Sequence, residues 1–261
     1  MKFLLSALLL SSAAAFAPAN QGKMITSLNS EAEAPSAPAA AASSGMSDLE
    51  ALASELNPIV NYYDPLNLVD TDIYGMGKEA TIGFLRQAEI KHSRVAMAAF
   101  VGYCVQSNFH WPWNMSLDGS PFPSIDLGPE AQWDAIPATA KWQILTVIGA
   151  LEIWDEASGG AQGQGKHYMK GGRPGDYPTF QLFRDEVHFV LDLYDPFGFN
   201  KKMTQEQKDK RLVMEINNGR LAMLGIFGFL SADKIEGSVP LLKSIAIPYD
   251  GQPMSPFEAG Y

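Results

Sequence analysis

The sequence predicts an all-α integral membrane protein with three spanning helices, the first and third related by a pseudo-twofold axis and crossing through Glu-Arg pairs. Three observations predict it. A nine-residue motif recurs at a spacing of 126 residues, each copy runs on into an apolar proline-free stretch, and the loop charges fall unevenly on the two sides of a middle helix.

The first copy reads Glu89-Ile-Lys-His92-Ser-Arg94-Val-Ala-Met97 and the second Glu215-Ile-Asn-Asn218-Gly-Arg220-Leu-Ala-Met223, sharing E-I-x-[HN]-x-R-[VL]-A-M. Each follows a turn of the form Tyr-Asp-Pro, at residues 63–66 and 194–197. Val95 to Val105 and Leu221 to Leu230 continue the copies with Ala, Met, Leu and Phe, which favour helix. The expected helices cover about 78–107, 138–157 and 204–232, with Thr81 capping the first and Thr204 the last. Ser158-Gly159-Gly160 stops the middle one.

No stretch reaches the 18 uncharged apolar residues of a simple membrane span. Hydropathy alone therefore favours a soluble helical bundle. The placement of the charges argues against it. At about 100° per residue, Glu89 and Arg94 point roughly 140° apart, as do Glu215 and Arg220, so neither pair satisfies itself. Two crossing helices with the same spacing satisfy all four charges reciprocally, Glu89 with Arg220 and Glu215 with Arg94, and paired charges are tolerated in a bundle interior. Ala98, Gly102, Gly225 and Gly228 are expected to let the helices approach. Residues 106–140 carry four acids and no Lys or Arg, whereas residues 155–210 carry eight basic residues, an asymmetry that orients the chain across a bilayer.

With 29 Asp+Glu against 19 Lys+Arg, a net charge of −10 and no basic stripe, the chain is not built to bind nucleic acid. Cys104 alone rules out a disulfide scaffold. No nucleophile-base pair or phosphate loop is present, so the chain reads as no enzyme. The competing class is a soluble metal-dependent oxidoreductase. Glu89 and His92 form one Glu-x-x-His, but the second copy offers Glu-x-x-Asn, and a di-iron bundle needs two such histidine motifs. A magnesium porphyrin needs only one axial donor per metal, and carboxylate, amide or imidazole can supply it. A carboxylate held by arginine stays ionised and oriented with one oxygen free for that purpose.

The doubled motif, the Tyr-Asp-Pro turns and the Gly171-Gly-Arg-Pro-Gly-Asp176 loop resemble the light-harvesting chlorophyll-binding protein superfamily over residues 60–240. Residues 1–15 read as a signal peptide and 16–45 as a plastid transit segment; Ala13-Ala-Ala-Phe16-Ala-Pro18 is similar to the cleavage motif of red-lineage algal presequences, those of diatoms above all. Residues 46–261 then form the antenna domain, similar to the fucoxanthin chlorophyll a/c type.

The resemblance implies chlorophyll a, chlorophyll c and fucoxanthin or a related xanthophyll as cofactors, with Glu89, His92, Glu215, Asn218, Glu152 and, as a weaker candidate, Gln143 as axial ligands to chlorophyll magnesium. Arg94 and Arg220 close the interhelix pairs, and the turns at Asp64-Pro65 and Asp195-Pro196 hold carotenoid ends. It further implies a multi-pass location in the plastid thylakoid membrane, with thylakoid lipid, neighbouring antenna subunits and a photosystem core as partners. The function implied is transfer of excitation energy to that photosystem; a photoprotective, energy-dissipating role within the same family is the alternative. Ala232 stands where plant members carry a glutamine ligand, and no histidine follows His188.

Overall fold

The structure is a computed structural model that describes residues 45–157, 166–177, 180, 185–186, 203–253 and 255–257. The expected signal and transit segments up to residue 44, the stop at 158–160, the turn at 194–197 and the segment around His188 lie outside the described residues. Among the described residues there are five α-helices and no strand: α1 Met46–Leu56, α2 Lys78–Gln106, α3 Pro129–Ala135, α4 Ala138–Ala157 and α5 Gln205–Lys234.

α2 begins a turn earlier than Thr81, and this corrects the expected cap. Its N-cap is Gly77, at φ +92°, whose N–H donates to the Asp72 carboxylate at 2.9 Å. Thr81 lies inside the first turn, and its hydroxyl donates back to the Gly77 carbonyl at 3.3 Å. Glycine reaches this backbone geometry without a Cβ clash, and Lys78, tied to Asp70 at 2.8 Å, starts the helix. α5 starts at Thr204, which accepts from the Gln207 N–H while the Gln207 side chain accepts from the Thr204 N–H, a reciprocal box.

α2 and α5 pack against each other, and α1 seals one side of the crossing, with Leu52 and Leu56 against Ile90 and Ile216. Of the small residues expected at the close approach, Gly225 is there and Gly102 and Gly228 are not. A Cβ on Gly102 or Gly228 meets nothing within 4 Å, whereas one on Gly225 lies 2.9 Å from the Phe100 ring and one on Gly219 lies 2.2 Å from the Ser93 Cβ. The helices touch most closely beside the charged motif and stay in contact beyond it through aromatic rings, Phe100 and Tyr103 against Phe229, while Gly102 and Gly228 point away from that contact.

α4 reverses the usual pattern of burial. Its only buried residues are Lys141 and Asp155, while Trp142, Val147, Ile148 and Ile153 are each more than half exposed. It meets α2 through charge: Lys91 Nζ lies 2.6 Å from Glu152, 2.8 Å from Asp155 and 3.7 Å from Glu156. The segment 166–177 lies on α2, close enough that a Cβ on Gly83 would sit 2.4 Å from the Tyr168 carbonyl oxygen. No helix among the described residues is long and apolar enough on its own to cross a membrane, because charged residues interrupt the apolar runs of all three long helices.

Candidate functional site

The repeated motifs meet where α2 and α5 cross. Arg220 Nε donates to Glu89 Oε1 at 2.8 Å, with its Nη2 at 2.7 Å from the same oxygen. Reciprocally, Arg94 Nε donates to Glu215 Oε1 at 2.6 Å. The two sites differ in one respect, since Arg94 Nη1 also donates to the Gly175 carbonyl at 2.6 Å, and the Gly175 N–H donates to Gln87 Oε1 at 2.6 Å. Gly175 sits at φ +85°, a left-handed turn that brings its backbone down onto α2.

Both arginines thus use a single oxygen of the opposing carboxylate. Among the described residues no donor reaches Oε2 of Glu89 or of Glu215. The two glutamate side chains are about a third exposed, at 31% and 30%. Each therefore presents one open, charge-balanced oxygen on the outside of the crossing.

His92 lies one turn beyond Glu89 and is exposed. Its Nδ1 is 2.7 Å from the Ala88 carbonyl of its own helix. A carbonyl only accepts, so Nδ1 carries the proton and Nε2 keeps its lone pair, the arrangement seen in metal-ligating histidines. In the second copy Asn218 is exposed, and no hydrogen bond holds its side chain among the described residues, whereas its neighbour Asn217 donates to the Leu56 carbonyl at 3.3 Å. Glu152 spends Oε2 on Lys91 and is half exposed; Gln143 is exposed near the start of α4.

The donors do not converge. Among the described residues no three His, Cys, Asp or Glu side chains are grouped as a metal centre requires, so the arrangement offers separate single donors along helix faces rather than one polynuclear site. Around them Val95, Val101, Leu221, Leu224 and Phe227 are exposed apolar side chains. Single oxygen or imidazole donors set in apolar surface fit large flat ligands with one metal each and a hydrophobic body.

The described Tyr-Asp-Pro turn is ordered by its aspartate. Asp64 accepts from the N–H groups of Leu68 and Val69 and from the Tyr62 hydroxyl, and the backbone bonds in particular hold its carboxyl below the ordinary carboxylate range. Three residues that the sequence reading passed over complete the framework. Lys91 fastens α4, and Ser93 with Gly219 forms the contact at the crossing; Ser93 and Gly219 hold the same motif position, both small, and that was the available signal.

Known proteins bear on this geometry. The sequence pattern of the chlorophyll A-B binding protein family matches residues 48–234. A fucoxanthin-chlorophyll a-c binding protein, chloroplastic, of Trieres chinensis is 33% identical over 246 residues, covering 93% of this chain and 98% of the relative. Two from Phaeodactylum tricornutum, forms F and B, are 32% and 30% identical over 90% of this chain and 96% of each relative. The match takes in all but the first two residues of α1, both copies of the motif and α4 between them, and the chain belongs to the chlorophyll A-B binding protein family.

Proposed function

We propose that this protein is a light-harvesting antenna of the plastid thylakoid membrane that binds chlorophyll a, chlorophyll c and fucoxanthin and passes excitation energy to a photosystem. The observation that carries this reading is the pair of Glu-Arg bridges that occupy one carboxylate oxygen each and leave the other open. Chlorophyll, when bound, supplies the absorption of visible light. The protein's own residues bind and orient it: Glu89 and Glu215 through Oε2, His92 through Nε2, Asn218 through its amide oxygen, with Glu152 and Gln143 on α4 as further donors. The arginines hold the carboxylates in place and aimed, no bond is made or broken, and the protein acts as a scaffold rather than an enzyme.

α2, α4 and α5 cross the membrane in this reading. Their 29, 20 and 30 residues give about 44, 30 and 45 Å of helix at 1.5 Å per residue, against a hydrocarbon core of about 30 Å. The reciprocal bridges balance the charges of α2 and α5 against each other about a pseudo-twofold, and the apolar exterior of α4 suits pigment and lipid better than water. Neighbouring antenna subunits and a photosystem core are the partners. The presequence at 1–45 supplies the plastid address, in keeping with relatives named as chloroplastic.

Pigment extraction and fluorescence excitation spectra of the purified complex test this. Chlorophyll a, chlorophyll c and fucoxanthin should be recovered, and light absorbed by the carotenoid should be emitted by chlorophyll a. A colourless protein, or bound carotenoid that transfers nothing to chlorophyll, contradicts it.

A further inference from the structure

The three carboxylates among the pigment donors share one arrangement. Glu89 gives a single oxygen to Arg220 of α5, Glu215 a single oxygen to Arg94 of α2, and Glu152 of α4 gives Oε2 to Lys91 Nζ of α2 at 2.6 Å. Each cation comes from another helix, and among the described residues no donor reaches the second oxygen of any of the three. The neutral candidates carry no such cation. Asn218 and Gln143 make no side-chain hydrogen bond among the described residues, and His92 makes only its bond to the Ala88 carbonyl.

Lys91 faces three carboxylates of α4, and they differ in what else they do. Asp155, 2.8 Å away, is buried and makes the contact that docks the helix. Glu156, at 3.7 Å, turns to the 166–177 segment, where it accepts from the Tyr168 hydroxyl at 3.0 Å and lies 2.9 Å from His167 Nε2. Glu152 has no second partner of this kind, and its side chain is 55% exposed. An exposed ion pair contributes little to stability, so docking does not account for the Glu152 contact. The surface beside it is apolar and open. Ile148, one turn earlier on the same face, is half exposed, and a Cβ on Gly149 would meet nothing within 4 Å, which leaves room for a flat ligand against the helix.

The repeat gives a second, independent indication. Lys91 and Asn217 hold the same place in the two motif copies, the third residue of E-I-x. Asn217 donates to the Leu56 carbonyl of α1 at 3.3 Å, and Lys91 reaches α4. The position points outward from the crossing in both copies. It carries a charge only in the first, where the element it reaches bears a carboxylate donor.

We propose that Lys91 is the positioning residue of a pigment site at Glu152: it holds one carboxylate oxygen and balances its charge, so that the other is available to the magnesium of one chlorophyll. This rests on the antenna reading above. A carboxylate without a cation among apolar pigment and lipid either takes up a proton or turns toward water, and in both cases it is a poor axial donor. Because Lys91 directly precedes His92 on α2, the same contact fixes the α4 donor relative to those of α2.

Chlorophyll per polypeptide and the thermal midpoint, measured side by side in samples reconstituted with chlorophyll a, chlorophyll c and fucoxanthin, test the role of Lys91. Lys91→Met is combined with Asp155→Asn, which leaves no buried charge unpaired, and Asp155→Asn alone is the reference. Glu152→Leu should lose about one chlorophyll, with a characteristic absorption difference spectrum. Lys91→Met/Asp155→Asn should lose most of that same chlorophyll, its binding weakened roughly 10- to 100-fold, the usual effect of removing the partner of a metal ligand. Adding Glu152→Gln to this pair should restore the pigment, because an amide donor needs no cation. If Lys91 served only to dock α4, Glu152→Gln would repair nothing. Full occupancy in Lys91→Met/Asp155→Asn, or a loss that Glu152→Gln does not repair, overturns the proposal while Glu152 stands as a donor. Full occupancy in Glu152→Leu removes Glu152 as a donor and the role of Lys91 with it. A wild-type sample that takes up no chlorophyll overturns the antenna reading and this proposal together.

Discussion

Ser93 and Gly219 occupy the same position in the two copies of the motif and meet each other at the crossing of α2 and α5. Ser93 is fully buried, and a Cβ built on Gly219 would lie 2.2 Å from the Ser93 Cβ and 2.9 Å from its Cα. The helices cannot close to this distance with a larger residue on either side, and the bridges that flank the contact depend on that distance.

Gly219→Ala is therefore expected to destabilise the protein by about 1–3 kcal/mol, the cost of overpacking, even though alanine favours helix by about 1 kcal/mol over glycine. Gly228→Ala, where the added Cβ meets nothing within 4 Å, should cost nothing or stabilise slightly. Thermal denaturation of the two variants side by side checks the ordering. Equal midpoints contradict the contact.

Arg94 and Arg220 are equivalent in the motif but not in the structure, because Arg94 also holds the Gly175 carbonyl. Arg220→Leu should cost about 2–3 kcal/mol, the usual loss for a charge-assisted hydrogen bond whose partner stays behind. Arg94→Leu should cost about 1 kcal/mol more and also loosen residues 166–177. Denaturation midpoints with limited proteolysis of that segment measure both, and identical behaviour of the variants argues against the extra bond.

Replacing His92 by Leu should lower chlorophyll by about one per polypeptide while the fold persists, since the bridges and the crossing do not involve it. His92→Asn should restore most of that pigment, because Asn218 occupies the same place in the second copy. A histidine serving only its bond to the Ala88 carbonyl would instead lose stability in the Leu variant and keep every pigment. Pigment per protein in reconstituted samples decides.

Lys91→Met should release α4. Asp155 is 4% exposed, and removing the cation beside it leaves a buried charge, at a cost of roughly 3 kcal/mol. Adding Asp155→Asn should recover much of the loss, which a double-mutant cycle on thermal stability quantifies. Full additivity of the two substitutions contradicts a direct pair.

The sequence carries the reciprocal bridges because a helix period of 3.6 makes Glu and Arg five apart incompatible on one helix and complementary on two. It carries the all-α class for the same reason, through long proline-free apolar runs. The cap of α2 was placed at Thr81 because the cap is a backbone device at Gly77 rather than a side chain of a capping type. α1 was missed because eleven residues with mixed polarity resemble a linker until Leu52 and Leu56 find Ile90 and Ile216. Of the small residues named, Gly225 meets the Phe100 ring but Gly102 and Gly228 meet nothing, because composition shows where helices can approach and the crossing point, fixed by the charges, decides where they do. Lys91 passed unnoticed as an ordinary surface lysine; only the fold brings Glu152, Asp155 and Glu156 to it.

The bridges also bear on how the molecule can be made. Arg94 waits for a partner 121 residues downstream and Glu89 for one 131 residues downstream. A chain delivered from its N-terminus presents the first motif long before the second exists, with two opposite charges aimed in different directions and nothing to quench either. Closing so long a loop adds little entropy cost, since each doubling of length costs only about 0.6 kcal/mol. The constraint is one of order: neither charge of the first motif gains its bridge until the second motif has been made. A fragment that ends before residue 205 lacks both Glu215 and Arg220, so neither bridge can form in it, and the first motif keeps two opposite charges that face apart.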